Sequence, residues 1–79
     1  MMMVGIKIMP RDVILDSQGR AIEESMKNNG FNFDGVRAGK FLEISFSSEN
    51  KDAVKTEVEK MLKAGGLYNP LIEKFEIIF

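Results

Sequence analysis

The sequence of 79 residues contains no cysteine, no histidine and no tryptophan. Without cysteine the chain has no disulfide and no thiolate, and without histidine it lacks the commonest metal ligand. A domain of this size buries only about 60% of the surface that its unfolded chain exposes, so its core is thin. Because covalent and metal supports are missing, we expect the protein to gain stability by forming oligomers.

The sequence also lacks an excess of charge of either sign. Eleven Lys and Arg residues face twelve Asp and Glu residues, which gives a net charge of -1, and no long run of like charge occurs. The apolar start is interrupted by Lys7 and Pro10, well short of a signal-peptide core or a membrane span of about 20 residues. This balance predicts a cytoplasmic protein that binds neither nucleic acid nor membranes.

Catalytic and metal-binding patterns are missing as well. The carboxylates fall on the outer faces of predicted helices or at helix caps, where solvated side chains are far commoner than acid-base catalysts. Gly35, Gly39 and Lys40 lack the GxxxxGK[ST] pattern of a phosphate-binding loop and lead into a strand, so a turn in a sheet is favoured. We therefore assign no catalytic residue and no metal ligand.

The residues that are present predict two outer strands and two helices. In residues 3–9, Val4, Ile6 and Ile8 alternate with Met3, Gly5, Lys7 and Met9, which predicts a strand that ends at Pro10. Residues 72–79 are predicted to form the last strand. The first helix runs from about 17 to 29 after an Asp16 N-cap, with Gly30 as its stop. The second helix, residues 51–64, has the better apolar stripe. That stripe consists of Val54, Val58, Met61 and Leu62.

The apolar stripe of the first helix is narrower than that of the second. Its buried stripe is chiefly Ala21, Ile22 and Met26, and the preceding Val13 and Leu15 are expected to tuck under it. A helix with so little apolar surface depends on its neighbours.

Residues 35–46, GVRAGKFLEISF, are predicted to lie in the middle of the sheet. Leu42, Ile44 and Phe46 alternate with Phe41, Glu43 and Ser45, the period of two that identifies a strand. The block forms either a hairpin that turns at Ala38 and Gly39 or one long strand bent by a glycine bulge.

This order predicts an α+β fold with one domain, residues 1–79. Two helices are expected to cover one side of an antiparallel sheet of three to four strands, a two-layer open-faced sandwich related to the ferredoxin-like fold. The uncovered face is more apolar than a face meant only for water, which usually marks an interface. Its apolar residues, predicted to form the oligomer face, are Met3, Met9, Phe41 and Ile78.

The segment LDSQG, residues 15–19, has two interpretations. Gly19 within the first turn of a helix costs up to about 1 kcal/mol relative to alanine. Either a partner's backbone approaches closely at this glycine, or the helix simply starts irregularly.

Three stretches together resemble the PurS family, the small subunit of phosphoribosylformylglycinamidine (FGAM) synthase in organisms whose enzyme is split into separate chains. They are LDSQG at 15–19, GVRAGKFLEI at 35–44 and LYNPLIEKFEI at 67–77. The resemblance covers nearly the whole chain. Family members often have proline where this chain has Ser17, but both residues suit a helix start.

The resemblance implies a non-catalytic subunit of de novo purine synthesis. In that family PurL, the synthetase subunit, binds ATP and the ribonucleotide, and PurQ, the glutaminase subunit, releases ammonia from glutamine. The small subunit resembles a bridge between them, as a homodimer or homotetramer that supports ammonia transfer. ATP, Mg and glutamine would then be used by the partners, with no cofactor in this chain.

By carry-over, six residues are candidates for contact or motif positions. They are Asp16, Gln18, Gly19, Arg37, Gly39 and Lys40. Two other functions remain as alternatives: a regulatory module of similar fold that binds a small molecule at a dimer interface, and RNA binding. The second is disfavoured because the aromatic residues of GKFLEISF point to opposite faces and positive charge is not in excess.

Overall fold

The computed structural model describes residues 1–79 and contains three strands and two helices. In chain order they are β1 (Met2–Pro10), α1 (Ser17–Asn28), β2 (Lys40–Phe46), α2 (Lys51–Ala64) and β3 (Glu73–Ile78). The strands form one antiparallel sheet in the order β2-β1-β3. The predicted α+β fold with β-α-β-α-β order is therefore confirmed, with three strands.

The helices begin and end where their capping residues allow. Asp16 caps α1 through its side chain, and the chain leaves that helix at Gly30, whose φ of 91° is a left-handed value that suits glycine. Asn50 caps α2 by accepting hydrogen bonds from the backbone N–H groups of Asp52 and Ala53. Neither helix has the length and apolar character needed to cross a membrane.

The buried core lies between the central strand β1 and helix α2. Six apolar side chains are at most 5% exposed: Val4, Ile6, Ile8, Val54, Val58 and Leu62. Partly buried side chains of β2, chiefly Leu42, Ile44 and Phe46, extend this core to one side. The alternating apolar side chains of β1 pack against the apolar stripe of α2, as the periodicity of each segment predicts. Met61, the fourth residue of the predicted stripe, is only partly buried.

The prediction for residues 35–46 is wrong in two respects. The strand begins only at Lys40, and β2 lies at an edge of the sheet, with β1 in the middle. Residues 35–39 form neither a hairpin strand nor a bent extension of β2. The reason is visible in the hydrogen bonds, because the backbone N–H groups of Val36 and Ala38 donate to side chains of α1 and its cap.

Helix α1 contributes no side chain to the core, contrary to the predicted stripe. Ala21 is exposed, and Ile22 and Met26 are 41% and 37% exposed. The helix lies instead against the returning chain, where the Glu23 carboxylate accepts a hydrogen bond from the Val36 N–H at 3.0 Å. We call residues 17–38, the helix and its return, the α1 arm.

The α1 arm makes the single chain unusually extended. Its radius of gyration is 16.0 Å and its principal dimensions are 48 × 26 × 16 Å. A compact chain of this length has a radius of gyration of about 12 Å. The single chain therefore leaves apolar surface open on the arm as well as on the sheet.

The loop between β1 and α1 also differs from its prediction. Val13 is 92% exposed and Leu15 is 65% exposed, so neither tucks under α1. A turn closed by the Ile14 N–H and the Arg11 carbonyl at 3.0 Å directs this loop towards solvent.

Candidate functional site

A single carboxylate joins the start of α1 to the start of β2. Asp16 Oδ1 accepts a hydrogen bond from the Gly19 N–H at 2.9 Å, and Oδ2 accepts one from the Ala38 N–H at 2.7 Å. The side chain is only 10% exposed. Since both oxygens are used, Asp16 fixes the distance between two segments that are 22 residues apart.

Arg37 extends this connection to the end of β1. Its Nη2 donates to the carbonyl oxygens of Pro10 at 2.6 Å and Arg11 at 3.1 Å. Its Nε lies 4.0 Å from Asp16 Oδ2, and its Nη1 lies 4.0 Å from the exposed Asp12 carboxylate. The end of β1, the start of α1 and the entry to β2 are thus held together at one end of the sheet.

Two glycines make this close packing possible. A Cβ at Gly19 would overlap the Asp16 carboxylate and the Val36 carbonyl oxygen. A Cβ at Gly39 would overlap the Ile8 carbonyl oxygen and the Met9 sulfur. Within LDSQG, the close backbone approach at Gly19 is therefore made by this chain's own Val36. We call Asp16, Gly19, Arg37 and Gly39 the Asp16–Arg37 junction.

Gln18 and Lys40 lie beside the junction but remain exposed. They line a shallow groove of about 350 Å³, which also borders Ile14, Leu15 and Ile72. Of the six residues identified by resemblance, four build the junction, and two of these, Asp16 and Gly39, border the groove together with Gln18 and Lys40. The junction side chains contact other parts of this chain, whereas the groove is open to solvent and accessible to another molecule.

The surroundings of Asp16 stabilise its charged form. The hydrogen bond from the Ala38 N–H, and then that from the Gly19 N–H, hold the pKa of Asp16 below its ordinary value of 3.8. The Arg37 guanidinium acts in the same direction, and partial burial opposes them. A folded-state pKa below the unfolded one stabilises the fold above pH 4, and that stabilisation is lost as the pH falls through the folded pKa.

We therefore expect Asp16→Asn to lower the melting temperature at neutral pH and to matter progressively less in acid. Asparagine has one side-chain oxygen, so it can accept a hydrogen bond from the Gly19 N–H or from the Ala38 N–H. The other N–H group then faces the amide N–H₂ and loses its acceptor. Melting curves from pH 7 to pH 2.5 check this. Asp12→Asn is the control, since that carboxylate is 82% exposed. An Asp16→Asn deficit that stays constant with pH would contradict this role.

The four residues predicted to form the oligomer face do share one side of the sheet. The register pairs Gly5 with Ile78 and Lys7 with Phe41, and the Phe41 ring lies over Gly5. Met3, Phe41 and Ile78 are 51%, 55% and 41% exposed around this glycine. Met9 lies further along the same face and is only partly buried, with its sulfur packed over Gly39.

No group of three or more acidic side chains comes together in a way that could hold a metal ion. The acidic residues near the junction serve other groups, since Asp12 pairs with Lys74 at 3.2 Å. Sequence reasoning missed this ion pair and the Glu23 contact to Val36, because nothing local marks partners that are 62 and 13 residues apart.

The chain is similar to proteins of one family throughout its length. A family model described as PurS, phosphoribosylformylglycinamidine (FGAM) synthase, matches residues 3–79. The curated phosphoribosylformylglycinamidine synthase subunit PurS of Methanocaldococcus jannaschii is 38% identical over 65 residues, which are 81% of this chain and 77% of the relative.

Solved structures agree with this similarity. The crystal structure of M. jannaschii PurS, one of the subunits of formylglycinamide ribonucleotide amidotransferase in the purine biosynthetic pathway, is 34% identical with a TM-score of 0.84. The match covers 96% of this chain and 92% of that one. A chain in the structure of PurLQS from Thermotoga maritima is 26% identical with a TM-score of 0.86, over 96% of this chain and 93% of that one.

Proposed function

The chain belongs to the PurS family, and we propose that it is the assembly subunit of an FGAM synthase in de novo purine biosynthesis. In this role it bridges a PurL-like synthetase and a PurQ-like glutaminase and supports the transfer of ammonia between them. The observation that carries the proposal is the similarity to a chain of the PurLQS structure over nearly the full length of both chains.

The exposed apolar surface supports an assembly role. The accessible surface of the single chain is 5802 Å². A compact monomer of this size exposes about 4,800 Å². The excess of roughly 1,000 Å² is close to the ~800 Å² that each partner buries in a stable interface.

A second copy of the chain is the proposed occupant of the sheet face. Met3, Phe41 and Ile78 stand together on that face, with Met9 further along it, and the protein is proposed to be a homodimer or homotetramer. The junction residues and the groove residues Gln18 and Lys40 lie towards the other end of β1, where Lys40 pairs with Ile8. Assembly through the sheet therefore leaves that end for the enzyme subunits.

The chemistry is proposed to belong to the partner subunits. ATP, Mg and glutamine are used there, and this chain supplies no cofactor and no catalytic residue. The site of action is the cytoplasm, where purine synthesis takes place in the proposed complex.

Omitting the chain from a reconstituted mixture of the matching synthetase and glutaminase is expected to abolish glutamine-dependent FGAM formation. The physical reason is that ammonia released by an undocked glutaminase escapes into solvent. Product formation is measured with glutamine and, separately, with ammonium salt as the nitrogen source.

The ammonia-dependent rate is the internal control, because the synthetase receives its nitrogen from solution in that assay. It is expected to survive without the chain. Equal glutamine-driven rates with and without the chain would refute the assembly role.

A further inference from the structure

Two loops that meet at the end of the sheet where β1 finishes carry four exposed aliphatic side chains. The loops are residues 11–15 and 69–72, which a hydrogen bond from the Arg11 N–H to the Ile72 carbonyl oxygen joins at 2.9 Å. The exposed fractions of the four side chains are Val13 92%, Leu15 65%, Leu71 83% and Ile72 42%. We call these four residues the loop-end patch.

The loops that carry the patch are held by hydrogen bonds. Arg11 Nε donates to the Pro70 carbonyl oxygen at 2.9 Å, and the Asn69 side chain accepts from the Leu71 N–H at 3.1 Å. Arg37 binds the carbonyl oxygens of Pro10 and Arg11 from the other side. Aliphatic tips on a fixed loop lose little conformational freedom when a partner covers them.

The acidic side chains around the patch have partners within the chain, whereas two of the basic side chains have no ion-pair partner. The carboxylates are engaged within the chain: Asp12 pairs with Lys74 at 3.2 Å, Asp16 accepts two backbone N–H groups, and Glu73 accepts the Asn69 N–H at 2.7 Å. Arg11 and Lys40, by contrast, have no carboxylate within ion-pair distance. Glu73 also has no cationic partner, so the charge without an ion pair at this end has a positive excess, which complements a negatively charged surface.

We propose that the loop-end patch docks an enzyme subunit of the complex through an aliphatic pocket bordered by carboxylates. Val13 and Leu71 enter the pocket, and Arg11 and Lys40 meet its acidic border. The inference rests on the proposed assembly function and adds the surface and the chemistry of the partner.

We assign a second copy to the apolar sheet face and an enzyme subunit to the loop-end patch, because the patch lies on loops outside the sheet. Met3 and Pro10 are seven residues apart along β1, which is about 23 Å at the rise of a strand. The patch lies on loops beyond Pro10, whereas Phe41 pairs with Lys7 and Ile78 with Gly5 within the sheet. Met9 is the residue of the sheet face nearest to the patch along the chain. A bridging chain needs two such separate surfaces.

The test is the affinity of the full chain for the purified synthetase and glutaminase subunits, measured singly and together by sedimentation. The double variant Val13→Asp, Leu71→Asp is expected to bind about 30-fold more weakly, the loss typical of an interface anchor. Val13→Ser, Leu71→Ser removes the aliphatic tips without adding charge and is expected to bind about 10-fold more weakly. Lys40→Glu is expected to slow association and to reduce its salt dependence.

The matched control is Ala53→Asp, Ala64→Asp, which adds the same charge at two exposed positions of α2 and is expected to change affinity by no more than about twofold. Patch variants that bind as tightly as the unmodified chain overturn the inference and leave the assembly role intact. A lower homo-oligomer mass in the patch variants also overturns it, since the patch would then contact a second copy. Failure of the unmodified chain to bind either subunit rejects the assembly role itself.

Discussion

Replacing Phe41 and Ile78 by glutamate is expected to convert the proposed homo-oligomer into single chains. Both side chains lie on the exposed face of the sheet beside Gly5, where a second copy would have to bury two added carboxylates against apolar groups. An unpaired charge in such an interface costs several kcal/mol, which corresponds to a loss of affinity of more than a hundredfold. Light scattering coupled to size exclusion measures the mass of the assembled protein before and after the substitution.

The control for this experiment carries the same charge elsewhere. Ala53→Glu, Ala64→Glu adds two carboxylates on α2 at exposed positions away from the sheet face, so its mass should equal that of the unmodified protein. Circular dichroism separates dissociation from unfolding, because the buried core lies on the opposite side of the sheet. If the Phe41 and Ile78 variant keeps the full oligomer mass, the exposed face is not the contact between copies.

Gly39→Ala is expected to destabilise the fold by about 1–3 kcal/mol, the range found for added volume at a tightly packed site. A Cβ at this position would overlap the backbone carbonyl oxygen of Ile8 and the sulfur of Met9. The carbonyl belongs to the central strand and cannot move without disturbing the sheet. Chemical denaturation, followed by the midpoint and slope of unfolding, measures the free-energy change.

Gly35→Ala is the matched control, because it makes the same chemical change four residues earlier in the same segment. Its Cβ would lie 3.2 Å from the Glu23 carboxylate, a side-chain end that can shift by a few tenths of an ångström. Its effect should therefore be clearly smaller than that of Gly39→Ala. Equal destabilisation by the two variants would mean that the contact with Ile8 does not set the requirement for glycine.

These predictions concern two different features of the same sheet. Phe41 and Ile78 test the face proposed for a second copy, whereas Gly39 tests the junction that positions the loops carrying the loop-end patch. Loss of the junction should therefore weaken binding of the enzyme subunits indirectly, through the placement of residues 11–15.

Local sequence determined the elements whose hydrogen bonds and apolar contacts repeat at short spacing. The alternation of Val4, Ile6 and Ile8 and the stripe of Val54, Val58 and Leu62 specified the two surfaces that form the core. Asp16 and Asn50 specified the helix starts, because a capping side chain acts within three residues. The three motif stretches likewise sufficed to identify the family.

Tertiary structure alone decided where residues 35–39 and α1 belong. The sequence of 35–46 resembles continuous strand, but Glu23 and Asp16 bind the N–H groups of Val36 and Ala38 and so remove them from the ladder. No local pattern reveals such partners, which are 13 and 22 residues away. For the same reason the sequence does not predict the exposure of Ile22 and Met26. An apolar stripe indicates that a helix packs against something, but it does not indicate whether the same chain or another chain covers it.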